Sequence, residues 1–326
     1  MTKEKYVESP IYKNSIKLII DFTNTILGGD IMRLKSYCFD ELSRLEKEDY
    51  MKYAEPNGLI RGKQKNIRWR FDPDDTALAR ACYCVLWGDL FDIGVKEDHF
   101  IGSRTKDQSI TARYRGDTMN SFNTVFGKMH MQGIPTKIQM YELDKNCCVL
   151  KQVMTFYHTY HTIGNMILLP NAGHGRMSDG INNIRGNFAL KDYFDYFLMN
   201  LYEYKYPEKV KFNSRVINRG KTVRELMNLK DNSDYKKIDI KTWRERFFLE
   251  DYFEEDIPKN IIDIEIDRFK ITRFPRKRSN DYSKEEYLEL ATSYLENCTK
   301  LICGRSEKLV KSIEEEILQY CRRIGC

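Results

Sequence analysis

The stretch Tyr157–Leu201 reads YHTYHTIGNMILLPNAGHGRMSDGINNIRGNFALKDYFDYFLMNL, and the order of patterns within it decides the fold. Met166–Leu169 is a short apolar run, introduced by Gly164-Asn165 and stopped by Pro170, which suits a buried strand or a buried helix turn. Asn171–Gly180 follows, with Gly173, Gly175 and Gly180 giving a loop whose backbone can turn tightly and approach a ligand. Phe194, Phe197, Leu198 and Leu201 then fall at i, i+3, i+4 and i+7, one face of a helix. Asn165, Asn182, Asn183, Arg185, Asn187 and Asp192 are thereby gathered around the junction of a core strand and a core helix. Groups in such a place are held rigidly enough to bind.

Upstream, Val149, Leu150, Val153, Met154 and Tyr157 predict a helix feeding into this stretch. Further back lies Ile110–Phe126, ITARYRGDTMNSFNTVF, in which Arg113, Arg115, Asp117, Asn120 and Ser121 cluster around Gly116. Arginine forks suit phosphate or carboxylate, and a nearby aspartate can orient an arginine, act as a base or take part in metal coordination. An Arg-Asp pair beside a capped helix starting at Met119 explains the same residues structurally, and both readings stay open.

Toward the N-terminus, apolar residues recur at helical spacing over Ile11–Leu27 and Asp30–Tyr53, with Gly28-Gly29 as a stop and Asp30 as an N-cap. This predicts a helical hairpin over residues 1–60. Asp72-Pro73-Asp74-Asp75 starts another helix, whose face is Leu78, Cys82, Val85 and Leu86 and which ends near Trp87-Gly88. Leu90–Val95 is an extended segment, and residues 207–239 are a polar excursion. Trp243–Phe253 is aromatic and packs back on the core. Two terminal helices follow, one lined by Tyr287, Leu290, Ala291, Tyr294 and Cys298, the other by Val310, Ile313, Ile317, Tyr320 and Ile324. The expected fold is α+β, predominantly helical with a small β element near Ile163–Leu169. Residues 61–326 form the main domain, compact with the hairpin.

A chain of 326 residues with 41% hydrophobic content can bury a sizeable core, and its aromatic density argues against long disorder. A net charge of +6 permits a polyanionic partner without requiring one. Arg61 to Arg70 reads as a solvated charged strand in preference to a nucleic-acid contact, and Arg273 to Arg278 as a second basic patch on a loop. No run has the length of a membrane span, and MTKEKYVESP lacks the apolar core of a secretion signal, so the expected setting is cytoplasmic, with no membrane partner. The nine cysteines contain no paired C-x-x-C modules and read as reduced, mostly buried thiols. His158, His161 and His174 lack a convincing helical ligand pair, which favours satisfied or exposed histidines over a metal set.

Several blocks resemble an uncharacterised bacterial family known only as a domain of unknown function. These are the Asp-Pro helix ending in Val85-Leu86-Trp87, the segment centred on Asp117, and TIGNMILLP followed by Gly175, Met177, Ile181, Asn182, Arg185 and Gly186. Asp192–Asp195, Phe247–Asp251 and the neighbourhood of Arg305 belong to the same resemblance, which supplies no activity. Gly164-Asn165-Met166 with Leu168-Leu169-Pro170, Asn182 and Lys191 is also similar to the closing part of HNH-type nuclease domains. That likeness implies a base histidine beside a divalent metal, but the histidine setting is absent. His130 precedes Gly133-Ile134-Pro135 at another spacing, and His158 and His161 stand directly before the glycine, so no catalytic histidine carries over.

The functional expectation is one pocket for a phosphate-bearing ligand, a nucleic acid or a nucleotide, lined by Arg113, Arg115, Asn120, Ser121, Asn165, Asn182 and Arg185. If the chain is an enzyme, the reaction expected is metal-assisted phosphodiester hydrolysis, with a divalent metal on Asp117 or Asp192. The alternative is a non-enzymatic interaction protein whose polar clusters are buried networks and whose basic surface does the work.

Overall fold

The computed structural model describes residues 2–54, 73–91, 114–120, 148–170, 198, 202, 205–206, 238–255, 257–258 and 284–325. Helix dominates these residues, and the strands form only two two-stranded sheets, so the fold is α+β and predominantly helical. The chain divides into two units that interleave along the sequence: residues 1–118, 161–169 and 306–326 in the first, 119–160 and 170–305 in the second.

In the first unit, α1 (Lys3–Tyr6) is followed by α2 (Pro10–Thr25). Ser9 accepts the Tyr12 amide and Pro10 occupies the first turn, where its missing N–H costs nothing. Tyr12, Ile16 and Ile19 form the buried stripe of α2, and its main partner is α4 (Ala77–Trp87). The helix ends where Gly28 and Gly29 adopt φ of +68° and +84°, with the Gly29 amide on Thr23 O and an Arg33 guanidinium on Leu27 O. Thr76 caps α4, whose residues from Leu78 to Trp87 are buried except Arg80, so this helix is core on nearly every side.

The helix expected over Asp30–Tyr53 is broken. Asp30 caps a 3-10 turn, Ile31–Ser36, Tyr37 is extended, and α3 runs from Phe39 to Ala54. The break arises because the Phe39 amide bonds to His161 O at 3.0 Å, outside its own helix, while the Phe22, Tyr37 and Phe39 rings pack edge-on in sequence.

Strand β1 (Tyr114–Thr118) pairs with β2 (Met166–Pro170), and Met166, Ile167 and Leu168 are fully buried, which resolves that apolar run as a core strand. In the second unit, α5 (Cys148–Tyr160) buries Val153 and Phe156. Asp239 caps α6 (Ile240–Arg246), where Trp243 stacks on Phe247 at 4.3 Å. A short hairpin follows, β3 (Phe253–Glu254) with β4 (Ile257–Pro258).

The two expected terminal helices are one, α7 (Lys284–Ile324), 41 residues long. Its buried stripe continues through the middle on Ile302, Arg305, Ser306 and Leu309, so polar residues occupy the core face where the apolar pattern lapses. Gly304 does not end the helix, because its backbone needs no special conformation. A Cβ there would meet nothing nearer than Asp251 Oδ2 at 3.8 Å.

Candidate functional site

Strand β1 is set by a close backbone approach. Gly116 lies against the 3-10 turn Pro73–Asp75, where a Cβ would overlap the Asp74 carbonyl and come within 2.7 Å of the Tyr83 hydroxyl. That hydroxyl donates to Asp74 O at 2.9 Å, and Tyr83 stacks on Trp87, so the floor under the strand is rigid. Arg115 and Asp117 flank Gly116 on this strand, and their side chains lie outside the described residues.

The neighbouring strand is entered through a tightly bonded turn. The Asn165 amide donates to Thr162 O at 3.0 Å, and the Gly164 amide donates to Ser306 Oγ of α7 at 2.9 Å. Thr162, Asn165 and Ser306 are all buried, so each hydrogen bond here is made away from water, where an unmade one is costly.

Just before this turn, His161 Nδ1 and Asp40 Oδ1 are 2.7 Å apart, and the Cys38 thiol donates to Asp40 Oδ2 at 3.4 Å. Burial works to raise the Asp40 carboxyl, but the hydrogen bond and charge of His161, with the Cys38 hydrogen bond, more than offset it and hold Asp40 below the ordinary aspartate value. Burial pushes the Cys38 thiol up to about 11, so at neutral pH it is a hydrogen-bond donor and not a thiolate nucleophile.

Of the residues singled out from sequence, Arg115 and Asp117 are brought beside β2, the strand that begins one residue after Asn165. Asn120 falls in the second unit, where its amide donates to the Tyr252 hydroxyl at 2.9 Å in a buried setting. Arg113, Ser121, Asn182, Arg185 and Asp192 lie outside the described residues. Among the described residues no group of three His, Cys, Asp or Glu side chains gathers to hold a metal, and no helix is long and apolar enough to cross a membrane.

Sequence reasoning missed Asp40 and Ser306. Asp40 stands in no motif and is 121 residues from His161, so only the histidine itself gave a signal. Ser306 falls between the two apolar faces expected for the terminal helices, and only its burial sets it apart. The chain was compared with family models, with curated proteins and with solved structures, and none of these matches it.

Proposed function

We propose that the paired strands β1 and β2 form the base of a site for a phosphate-bearing ligand, a nucleotide or a nucleic-acid strand. The observation that carries this reading is the pairing itself. The strand bearing Arg115 and Asp117 lies beside the strand that leads from Asn165 into the glycine-rich segment and on to Asn182, Arg185 and Asp192. Arginine forks would hold phosphate oxygens, and amides would read a sugar or base. Phosphodiester hydrolysis at such a site would call for a divalent metal on Asp117 or Asp192, where it would neutralise developing charge and supply an activated water.

The test is a binding screen of the full chain against nucleoside mono-, di- and triphosphates and short DNA and RNA strands, each with and without magnesium or manganese. Micromolar binding to any of them that Arg115→Lys weakens supports the site. No binding by any member of the set in either condition overturns it.

A second reading, an interaction protein with buried polar networks, is favoured by Asn120. Its side chain is 2% exposed and bonded to Tyr252, as a structural amide would be. On that reading Asn120→Ala lowers stability and leaves every ligand titration in the screen unchanged.

A further inference from the structure

We infer that Asp40 and His161 form a proton-responsive clip on the turn that enters β2. Two bonds join the start of α3 to the same residue: the Phe39 amide donates to His161 O at 3.0 Å, and the His161 ring meets Asp40 Oδ1 at 2.7 Å. The next residues, Thr162 to Asn165, are the turn whose Gly164 amide is fixed by Ser306. The ring therefore holds the backbone that sets where β2 begins. The His161 side chain is 22% exposed and that of Asp40 41%, so protons reach the pair without unfolding.

Histidine as a residue type changes charge between pH 5 and 8. When the ring is charged its bond to Asp40 is an ion pair, and when neutral it remains a hydrogen bond without charge assistance, roughly half as strong. The clip thus tightens on mild acidification and slackens as pH rises. Asp40, held below the ordinary aspartate value, stays ionised throughout that window.

Other titratable and charged groups surround the pair. On the α3 side these are Cys38, whose thiol stands at about 11, Tyr37, which burial also raises, and Glu41, a charge acting on both. The 3-10 turn Ile31–Ser36 packs on Ile163–Asn165 and carries Arg33 and Lys35. From α7 come Glu307, next to Ser306 and paired with Lys311, and Lys311 itself. Glu307 is lowered by Lys311 and then by Lys35. His158, three residues earlier in the chain, is the other histidine close in sequence.

The experiment is amide hydrogen exchange on the full chain at pH 5 to 8, corrected for intrinsic rates, reading Phe39 and Gly164, with the Ile26 amide on Phe22 O as internal control. Protection at Phe39 and Gly164 should fall about fivefold across the range, the difference between a charge-assisted and a neutral hydrogen bond, while Ile26 stays level. In Asp40→Asn and His161→Gln the fall should disappear. A flat wild-type profile, a fall shared equally by Ile26, or an unchanged slope in Asp40→Asn each overturns the clip. No ligand enters the measurement, so its outcome is independent of the phosphate-site reading.

Discussion

Tyr12 donates its hydroxyl to Glu316 Oε2 at 2.6 Å, joining two residues 304 positions apart. Glu316 is 6% exposed and its other oxygen takes the Lys3 ammonium at 2.5 Å, while the Arg323 guanidinium sits 5.9 Å from the centre of the Tyr12 ring. Burial, then the bond to Glu316 and its charge, push the Tyr12 phenol well above the tyrosine range, so it remains a donor at neutral pH. Tyr12→Phe should therefore cost about 1–3 kcal/mol in urea unfolding, because a buried carboxylate oxygen loses its donor. Lys3→Met should cost less than about 1 kcal/mol, since the ammonium is half-exposed. The reverse ranking of the two variants would show that the lysine and not the tyrosine satisfies Glu316.

Gly116→Ala should be among the most destabilising single changes in the chain, at about 3 kcal/mol or more, because the new methyl overlaps the Asp74 carbonyl and backbone must move. Gly29→Ala has nothing within 4 Å and meets only the strain of φ +84°, about 1–2 kcal/mol. Thermal melts of the two variants check the ranking. Equal losses would mean that β1 can lift from Pro73–Asp75 at little cost.

Asp40 gives the stability curve an acid limb. Its folded-state value is depressed by His161, so its contribution is present above the ordinary aspartate range and is lost as pH falls through the lowered value. His161→Gln removes that contribution, and the wild-type and variant curves should differ by no more than about 1 kcal/mol at neutral pH, given the exposure of Asp40. They should converge below about pH 4. A gap between them that still widens below about pH 4 would show that Asp40 is not the group involved.

Arg115→Lys and Arg185→Lys keep the charge and remove the planar fork. At a phosphate site each should weaken binding of the ligand found in the screen by about 1–3 kcal/mol with an unchanged melting temperature. If the arginines instead serve buried structural pairs, the melting temperature drops and any binding loss follows it.

Among the described thiols, Cys82, Cys84 and Cys298 are buried, and burial raises both helix α4 thiols, that of Cys84 to about 11. Thiol-reactive dye should label Cys303 in the native protein, slowly because partial burial raises it too, and reach those three only on unfolding. Addition of reductant or chelator should leave the melting temperature unchanged. A large loss on chelation would reveal a structural metal.

Much of the helical frame was legible in the sequence because its signals are local. Gly28-Gly29 stops α2 as its sequence suggests, whereas α4 starts at the Thr76 cap and not at the Asp-Pro segment, whose Pro73–Asp75 is a separate 3-10 turn. What could not be read was decided by partners far along the chain. The Asp30–Tyr53 helix breaks because His161 takes the Phe39 amide, and the terminal helices merge because Arg305 and Ser306 fill core positions, with Arg305 Nε donating to Phe247 O at 2.9 Å. Arg115 and Asp117 flank Gly116 in the sequence, and the structure puts all three on β1. The strand itself was not read from the pattern, because a strand that leans on a carbonyl 42 positions back shows only as Gly116.

Tyr6 lies with its ring in a notch over Gly88, where any Cβ would collide with the phenol oxygen, and its hydroxyl donates to Cys84 O at 2.9 Å. The ring is 1% exposed. Tyr6→Ala would therefore leave a hole shaped like a phenol molecule, with a waiting acceptor at its far end. Free phenol should enter such a hole and restore melting temperature in proportion to its concentration, as small aromatics fill engineered cavities. Benzene, lacking the hydroxyl, should restore less. The first turn of this chain thus behaves as a built-in small-molecule ligand that happens to be covalently attached.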